Sequence, residues 1–444
     1  MDVRRSRPGG SMKPIVSIIG RPNVGKSTLF NRILGYKKAI TEDVPGVTRD
    51  RNYGEFDYSG KSFILVDTGG FELEKKEEIT SLVKEHVYAA VEESSMIIFL
   101  MDGKEGLLPQ DQEIASILRR YEKPVFYAVN KVESPKREAA IAEFYALGVD
   151  KLYALSAAHG TGLGDLLDDL ASRVEAEPEG EAQEGLGIAL VGRPNTGKSS
   201  IVNRLLGSDR MIVSAEPGTT RDAVDSVFTF REKRFVIIDT AGMRRKSRIS
   251  MRVEEYSVAS AIRSIERADV VNLVIDALEG VAHQDATIAH LVVEKGKGIV
   301  LVVNKWDLID GTGHEGAYLE MVREKLPHVD FAPVVFVSAL TGKNVTKIVE
   351  TDLQIARELT RKISTAKLNK TFESYFRRLS LPRAGRREVK IFYVNQARTS
   401  PPTFILFANV PDSIPEHYKR YLENSLRSTF GFKGVPIRLF FRKR

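Results

Sequence analysis

Twice in its 444 residues the chain spells G-x-x-x-x-G-K-[ST]: Gly20, Arg21, Pro22, Asn23, Val24, Gly25, Lys26 and Ser27 followed by Thr28, then Gly192, Arg193, Pro194, Asn195, Thr196, Gly197, Lys198 and Ser199 followed by Ser200. In this pattern the glycines let backbone N–H groups wrap the α and β phosphates of a nucleotide. The lysine reaches the β and γ phosphates, and the hydroxyl ligates Mg2+. One match is compatible with a glycine turn ahead of a helix. Two matches that share three of their four filler residues point to a nucleoside-triphosphate machine with two sites.

The repeat runs on beyond these loops. Pro45-Gly-Val-Thr48-Arg-Asp returns as Pro217-Gly-Thr-Thr220-Arg-Asp, and Asp67, Thr68, Gly69, Gly70 return as Asp239, Thr240, Ala241, Gly242, all offset by 172 residues. Asp102 answers to Asp276, Gln110-Asp111 to Gln284-Asp285, and Asn130-Lys131 to Asn304-Lys305 at an offset of 174. Ser156-Ala157 matches Ser338-Ala339 at 182, past an insertion rich in glycine and acidic residues near position 310–320. An offset sustained through separate motifs marks an internal duplication.

Charge sets the C-terminal end apart. Residues 361–444 hold 19 Lys/Arg against 5 Asp/Glu, whereas the whole chain carries only +7. A strongly basic end on a mildly acidic body suggests a polyanion-binding module. There is no cysteine, which excludes disulfides and thiolate metal sites and fits a reducing compartment. No apolar run reaches the ~18 residues of a membrane span, so no membrane partner is expected.

These features predict five segments. Residues 1–11 read as a disordered tail or cloning scar, 12–174 as the first nucleotide domain, and 175–185 (EAEPEGEAQEG) as a flexible acidic linker. Residues 186–362 form the second nucleotide domain and 363–444 a small basic domain. In the first copy, apolar strands over 15–19, 63–66, 96–101 and 125–129 alternate with helices over 26–34 and 112–121. Strands over 188–191, 235–238, 270–275 and 299–303 repeat this in the second. Continuous apolar strands between amphipathic helices predict α/β domains with a mainly parallel sheet covered on both faces. Leu368, Phe372, Tyr375, Phe376 and Leu379 share one helix face. With strands at 389–394, 404–408 and 436–441 and a helix at 415–430, the C-terminal domain reads as an α-β-β-α-β, hence α+β, unit.

The motifs also name the chemistry. Ser27 and Thr48, or Ser199 and Thr220, supply hydroxyls to Mg2+, with Asp67 or Asp239 holding it through water, the sparse oxygen set this ion takes. Gly70 and Gly242 place a backbone N–H on the γ-phosphate and make that loop a sensor of hydrolysis. Asn130-Lys131-Val-Glu133 and Asn304-Lys305-Trp-Asp307 end in a carboxylate that accepts from N1–H and the exocyclic amine of guanine. Adenine lacks that donor pair and would leave the carboxylate unpaired. Ser156-Ala157 and Ser338-Ala339 add a backbone N–H to the guanine carbonyl.

From residue 12 onward the chain resembles the Der (EngA) family, bacterial ribosome-assembly factors with tandem GTPase domains. The resemblance implies two P-loop GTPase domains followed by a KH-like C-terminal domain. It further implies a cytoplasmic GTPase that binds GTP and GDP at two sites and acts on the large ribosomal subunit through its rRNA. A monomer is expected.

Three departures qualify that expectation. Glu133 stands where the family pattern has Asp; its carboxylate reaches one methylene further, at a cost of up to about 1.5–3 kcal/mol in guanine binding. Phe71 and Met243 follow the Asp-x-x-Gly motifs where Ras-like GTPases place a water-orienting Gln, so intrinsic turnover should be slow. Asn23 and Asn195 resemble the asparagine that helps bind K+ in related GTPases, and K+ beside the phosphates would act as a cationic finger. The catalytic set is therefore Asn23, Lys26 and Thr48 in one copy and Asn195, Lys198 and Thr220 in the other.

Several readings stay open. Arg21 and Arg193 sit inside the P-loops, which favours a structural role over an arginine finger. The basic segment from Met243 to Arg248 is either a solvated loop or an RNA-contacting switch. Arg377, Arg378, Arg383, Arg386, Arg387 and the terminal Arg442-Lys443-Arg444 suit RNA phosphates. Gly431-Phe-Lys-Gly434 spells the KH clamp G-x-x-G, but between a helix and a strand it reads as a helix stop. Phe392, Tyr393, Phe404 and Phe407 can stack bases, with at least half expected in the core. Two rivals remain: a non-hydrolysing RNA scaffold, and a GTPase coupled to RNA modification, which lacks the catalytic Cys that some such enzymes use.

Overall fold

Seven consecutive buried residues, Met96–Asp102, make the central strand β4 of the first sheet. The pleat sends Met96, Ile98 and Leu100 into a core on one face and Ile97, Phe99 and Met101 into a core on the other. That is why the run reads as continuously apolar. β4 lies parallel between β1 (Ile15–Ile19) and β5 (Val125–Asn130). With β2 (Tyr53–Tyr58), β3 (Lys61–Asp67) and β6 (Leu152–Ala154) the order is β2-β3-β1-β4-β5-β6, in which only the β2–β3 pair is antiparallel. These elements belong to a computed structural model that describes residues 13–35, 53–68, 87–88, 90–92, 94–133, 141–174, 185–208, 211–213, 225–239, 258–309, 314–378, 383–384 and 387–443.

The second sheet repeats the topology. It contains β7 (Leu186–Val191), β8 (Ile212–Val213), β9 (Ser226–Phe230), β10 (Lys233–Ile237), β11 (Val270–Asp276), β12 (Gly298–Asn304) and β13 (Val334–Phe336) in the order β13-β12-β11-β7-β10-β9-β8. The strands expected from apolar runs are present in both copies. The sequence reading passed over β2, β6, β8, β9 and β13, short or half-buried strands at or next to the sheet edges that lack a continuous apolar signal. The expected tail and linker, apart from Gly185, fall outside the described residues. Two compact units emerge, one around the first sheet and one holding the second sheet together with the C-terminal domain.

The C-terminal domain has the expected α-β-β-α-β order. A helix Thr365–Arg378 precedes a two-residue hairpin, β14 (Arg383–Ala384) and β15 (Arg387–Glu388); β16 (Ile391–Thr399) and β17 (Pro402–Ala408) follow. A helix Glu416–Phe430 and β18 (Arg438–Lys443) complete it, giving a sheet β16-β17-β18. Both helices pack on one face, where Leu368, Phe372, Tyr418 and Leu422 meet Val394, Phe404 and Leu406.

Gly431 ends the second of these helices at φ 94°, its N–H bonded to Arg427 O at 2.9 Å. The G-x-x-G segment is thus a helix stop, and it is also a joint. Gly434 O accepts from Ile299 N–H at 2.8 Å, and Gly434 N–H donates to Phe331 O at 3.0 Å. Phe432 N–H donates to Glu358 Oε2 at 2.9 Å, while Val435 belongs to the core of the second sheet. Arg427 lies 3.9 Å over the Phe331 ring. Gly434 holds a left-handed φ of 71°, where a side chain is strained, and a Cβ there would also push Ile355 aside.

Candidate functional site

Both P-loops follow the C-terminal end of a central parallel strand, β1 or β7, where open α/β sheets bind ligands. Gly20 and Gly192 pass so close to the neighbouring strand that a Cβ would lie 2.3 Å from Leu100 O or Val274 O. The chain then turns left-handed at Asn23 (φ 63°) and Gly25 (φ 97°), and at Asn195 (φ 58°) and Gly197 (φ 88°). These turns aim successive N–H groups inward ahead of the helices Lys26–Gly35 and Lys198–Leu206, a concavity suited to phosphate. Lys26 Nζ folds back onto Gly20 O (3.0 Å) and Arg21 O (2.7 Å), and Lys198 Nζ onto Arg193 O (2.5 Å). Val24 and Thr196 are buried beneath the loops, while Pro22, Ser27, Thr28 and Ser200 are exposed and Pro194 and Ser199 half-buried.

Arg21 and Arg193 turn away from the phosphate cradle. Arg21 donates to Asp111 Oδ1 (2.8 Å) and Glu105 Oε2 (3.0 Å); Arg193 donates to Asp285 Oδ2 (3.0 Å), Glu279 Oε2 (2.7 Å) and Gly280 O (2.9 Å). Burial alone would weaken the Arg21 charge, but the two carboxylates outweigh it and hold the guanidinium more firmly protonated. Asp111 and Asp285 are fully buried at the starts of the helices Pro109–Leu118 and His283–Glu294. Each also accepts from a backbone N–H three residues earlier, Leu108 or Ala282. The arginine therefore tethers the P-loop to the helix that follows the neighbouring strand, β4 or β11.

Asn130 and Asn304 act as staples. Asn130 Nδ2 donates to Val24 O in the P-loop (2.8 Å), and its Oδ1 accepts from Ala157 N–H (2.9 Å). Asn304 repeats both bonds with Thr196 O (2.8 Å) and Ala339 N–H (3.0 Å). Each asparagine is buried and draws three loops into one wall. The N–H groups of Ala157 and Ala339 are engaged by the staple, and those of Ser156 and Ser338 bond Thr161 O and Lys343 O. The buried serines shape the turn, accepting from His159 and Thr341 N–H.

Lys131 and Lys305 both hold left-handed φ, 68° and 63°, conformations that cost a side-chain-bearing residue energy and tend to persist at functional sites. Lys131 Nζ bonds Asn23 O at 2.9 Å and pairs with Asp102; Lys305 pairs with Asp276 at 2.5 Å. Burial would raise the Asp276 carboxyl, but Lys305 and the Leu278 N–H hold it below the usual range. Glu133 lies 3.6 Å from Lys104, whereas Asp307 is exposed beside Trp306, whose ring packs on Phe336 (4.3 Å) and Tyr318 (5.3 Å).

Asp67, buried, ends β3 in register with Ile18, and Thr68 Oγ1 donates to Ile18 O at 2.7 Å. Asp239 N–H is held by Asp225 at 3.0 Å. A serine hydroxyl on the first helical turn and one carboxylate at a neighbouring strand end suit a hard cation that keeps most of its water. Thr48, Gly69, Gly70, Phe71, Thr220, Thr240, Ala241, Gly242 and Met243 lie outside the described residues, as do the basic segment up to Arg248, Arg386 and Arg444. The sequence reading left Asp102, Glu105, Asp111, Asp276, Glu279 and Asp285 out of the site. Their recurrence at the 174-residue offset was the available signal.

Family comparison agrees with this arrangement. A model described as "50S ribosome-binding GTPase" matches residues 15–131 and 187–305, and one described as "KH-domain-like of EngA bacterial GTPase enzymes, C-terminal" matches 362–442. GTPase Der of Trichlorobacter lovleyi is 49% identical over 434 residues, covering 98% of this chain and 97% of that protein. GTPase Der of Moorella thermoacetica is 48% identical over 432 residues, covering 97% and 99%. Among solved structures, Era of Aquifex aeolicus bound to GDP and AlF4− aligns with 59% of this chain and 93% of its own, at 23% identity and a TM-score of 0.29. With two G domains and a KH-like domain in this order, the chain belongs to the GTPase Der family.

Proposed function

We propose that the protein is a GTP-hydrolysing switch with two sites, acting in assembly of the large ribosomal subunit through rRNA contacts of its basic C-terminal domain. The observation that carries this reading is the duplicated staple. Asn130 and Asn304 join a phosphate cradle to a base-recognition loop by the same pair of bonds in each domain. Such a wall holds base and phosphates at a fixed separation. Glu133 and Asp307 then select guanine, and Lys26 and Lys198 leave their loop carbonyls for the β and γ phosphates.

Ser27, Thr48 and Asp67, with Ser199, Thr220 and Asp239, would hold Mg2+, which neutralises charge on the transferred phosphoryl group. Asn23 and Asn195 stand exposed on the P-loop turns, placed to hold K+ and so to supply the positive charge that Phe71 and Met243 cannot replace. Slow turnover in NaCl, quickened in KCl under single-turnover conditions, is the expected behaviour; equal rates would remove the K+ role.

The decisive experiment is co-sedimentation with large ribosomal subunits in GDP, GTP and a non-hydrolysable analogue. Binding that changes with the nucleotide, together with phosphate release, supports a switch. Equal binding in all three without phosphate release would leave a scaffold.

A further inference from the structure

The C-terminal domain presents two surfaces that differ in kind. Its G-x-x-G segment, the part of a KH domain that clamps nucleic-acid backbone, is committed to the joint with the second G domain. There the Phe432 N–H, Gly434 N–H and Gly434 O all have protein partners. The sheet, by contrast, buries only one face under its helices.

The other face is laid out by the strand register. Tyr393, Phe407 and Arg442 form one cross-strand row; Asn395, Ile405 and Phe440 form the next. Tyr393 is 44% and Phe440 47% exposed, large values for aromatic side chains on a sheet. The Tyr393 and Phe407 rings sit 6.0 Å apart, tilted by 40°. Arg442 and Arg398 are exposed at opposite ends of the strands. Rings standing on adjacent strands, with cations at the margin, match what unpaired bases and their phosphates need together. A duplex keeps its bases stacked inside and offers such rings nothing.

We propose that this uncovered face of the β16-β17-β18 sheet is a stacking platform for single-stranded RNA, with Tyr393 and Phe440 as base-stacking residues and Arg442 as a phosphate contact. The proposal rests on the RNA-binding reading of the domain. It adds the surface and the strandedness of the RNA, and it moves the contact away from the G-x-x-G loop.

The test is fluorescence anisotropy of the full-length chain with a short labelled single-stranded RNA of mixed sequence, and with the same RNA annealed to its complement. Tyr393→Ala combined with Phe440→Ala should weaken single-strand binding by about tenfold or more and leave duplex binding unchanged. Tyr393→Phe combined with Phe440→Trp should retain it. Arg442→Gln should reduce the salt slope by about one. If the wild-type chain binds the single strand and the double alanine variant binds it equally well, the platform is wrong while RNA binding by the domain stands. If the wild-type chain binds neither RNA at low salt, both fall. Unchanged melting temperatures confirm that the variants are folded.

Discussion

Asn272 and Asp352 meet inside the second G domain, Asn272 Nδ2 donating to Asp352 Oδ2 at 3.2 Å, with both residues fully buried. The Oδ1 atom of each side chain has no hydrogen-bond partner among the described residues. Burial pushes the Asp352 carboxyl up to about 8, against which the Asn272 bond acts weakly. A neutral acid resolves both orphans, since a protonated Oδ1 can donate to Asn272 Oδ1 and close an acid–amide ring. The duplication supplies the control. Ile98 holds the place of Asn272 in the strand register, and Leu170, seven residues into its helix as Asp352 is into its own, takes the other. Both are buried.

The pH dependence follows from the sign of that shift. Between about pH 4 and pH 8 the folded domain keeps a proton that the unfolded chain has released. Stability therefore falls as pH rises through this window, by up to about 1.4 kcal/mol per unit, and levels off above it. Trp306, the sole tryptophan, reports the unfolding of this domain. Denaturant melts followed by its fluorescence should shift to lower midpoints from about pH 6 to about pH 9. Asn272→Ile combined with Asp352→Leu should largely abolish the shift; an unchanged pH profile in that variant would rule out the buried acid as its source.

Replacing Asn304 with Ala leaves Thr196 O and Ala339 N–H without their partner. Each buried group so exposed costs about 1–3 kcal/mol. Titration with a fluorescent guanine nucleotide should show loss of affinity at the second site only, and Asn130→Ala the mirror result.

Arg193 is anchored on Asp285 and Glu279, so it cannot also serve as a finger without breaking a buried pair. Arg193→Lys should lower the melting temperature of the second domain, because an ammonium cannot reproduce the fork geometry. Turnover at saturating GTP should change by only a few-fold. A loss approaching the ~1000-fold of a missing arginine finger would reassign the residue to catalysis.

Glu133→Asp draws the carboxylate back by one methylene and away from Lys104. Calorimetry should then find tighter GDP at the first site, by about tenfold, as expected for one improved charge-assisted bond. Weaker binding would mean that the Lys104 contact positions the longer side chain productively.

The P-loops, the base motifs and the covered strands were legible because each is a local pattern of fixed spacing. Gly20, Lys26 and Asn130 announce their chemistry within a few neighbours, and β4 announces its burial by composition. Chain order alone also implied the duplication and the basic C-terminal unit. Tertiary structure decided whom each polar group meets. Asn130 turned out to join two loops, Arg21 to meet a carboxylate 90 residues away, and Gly434 to meet a neighbouring domain. Those outcomes depend on long-range packing. A hydrogen-bonding side chain has several possible partners in the sequence, and only the folded geometry, which penalises every buried group left unpaired, selects among them.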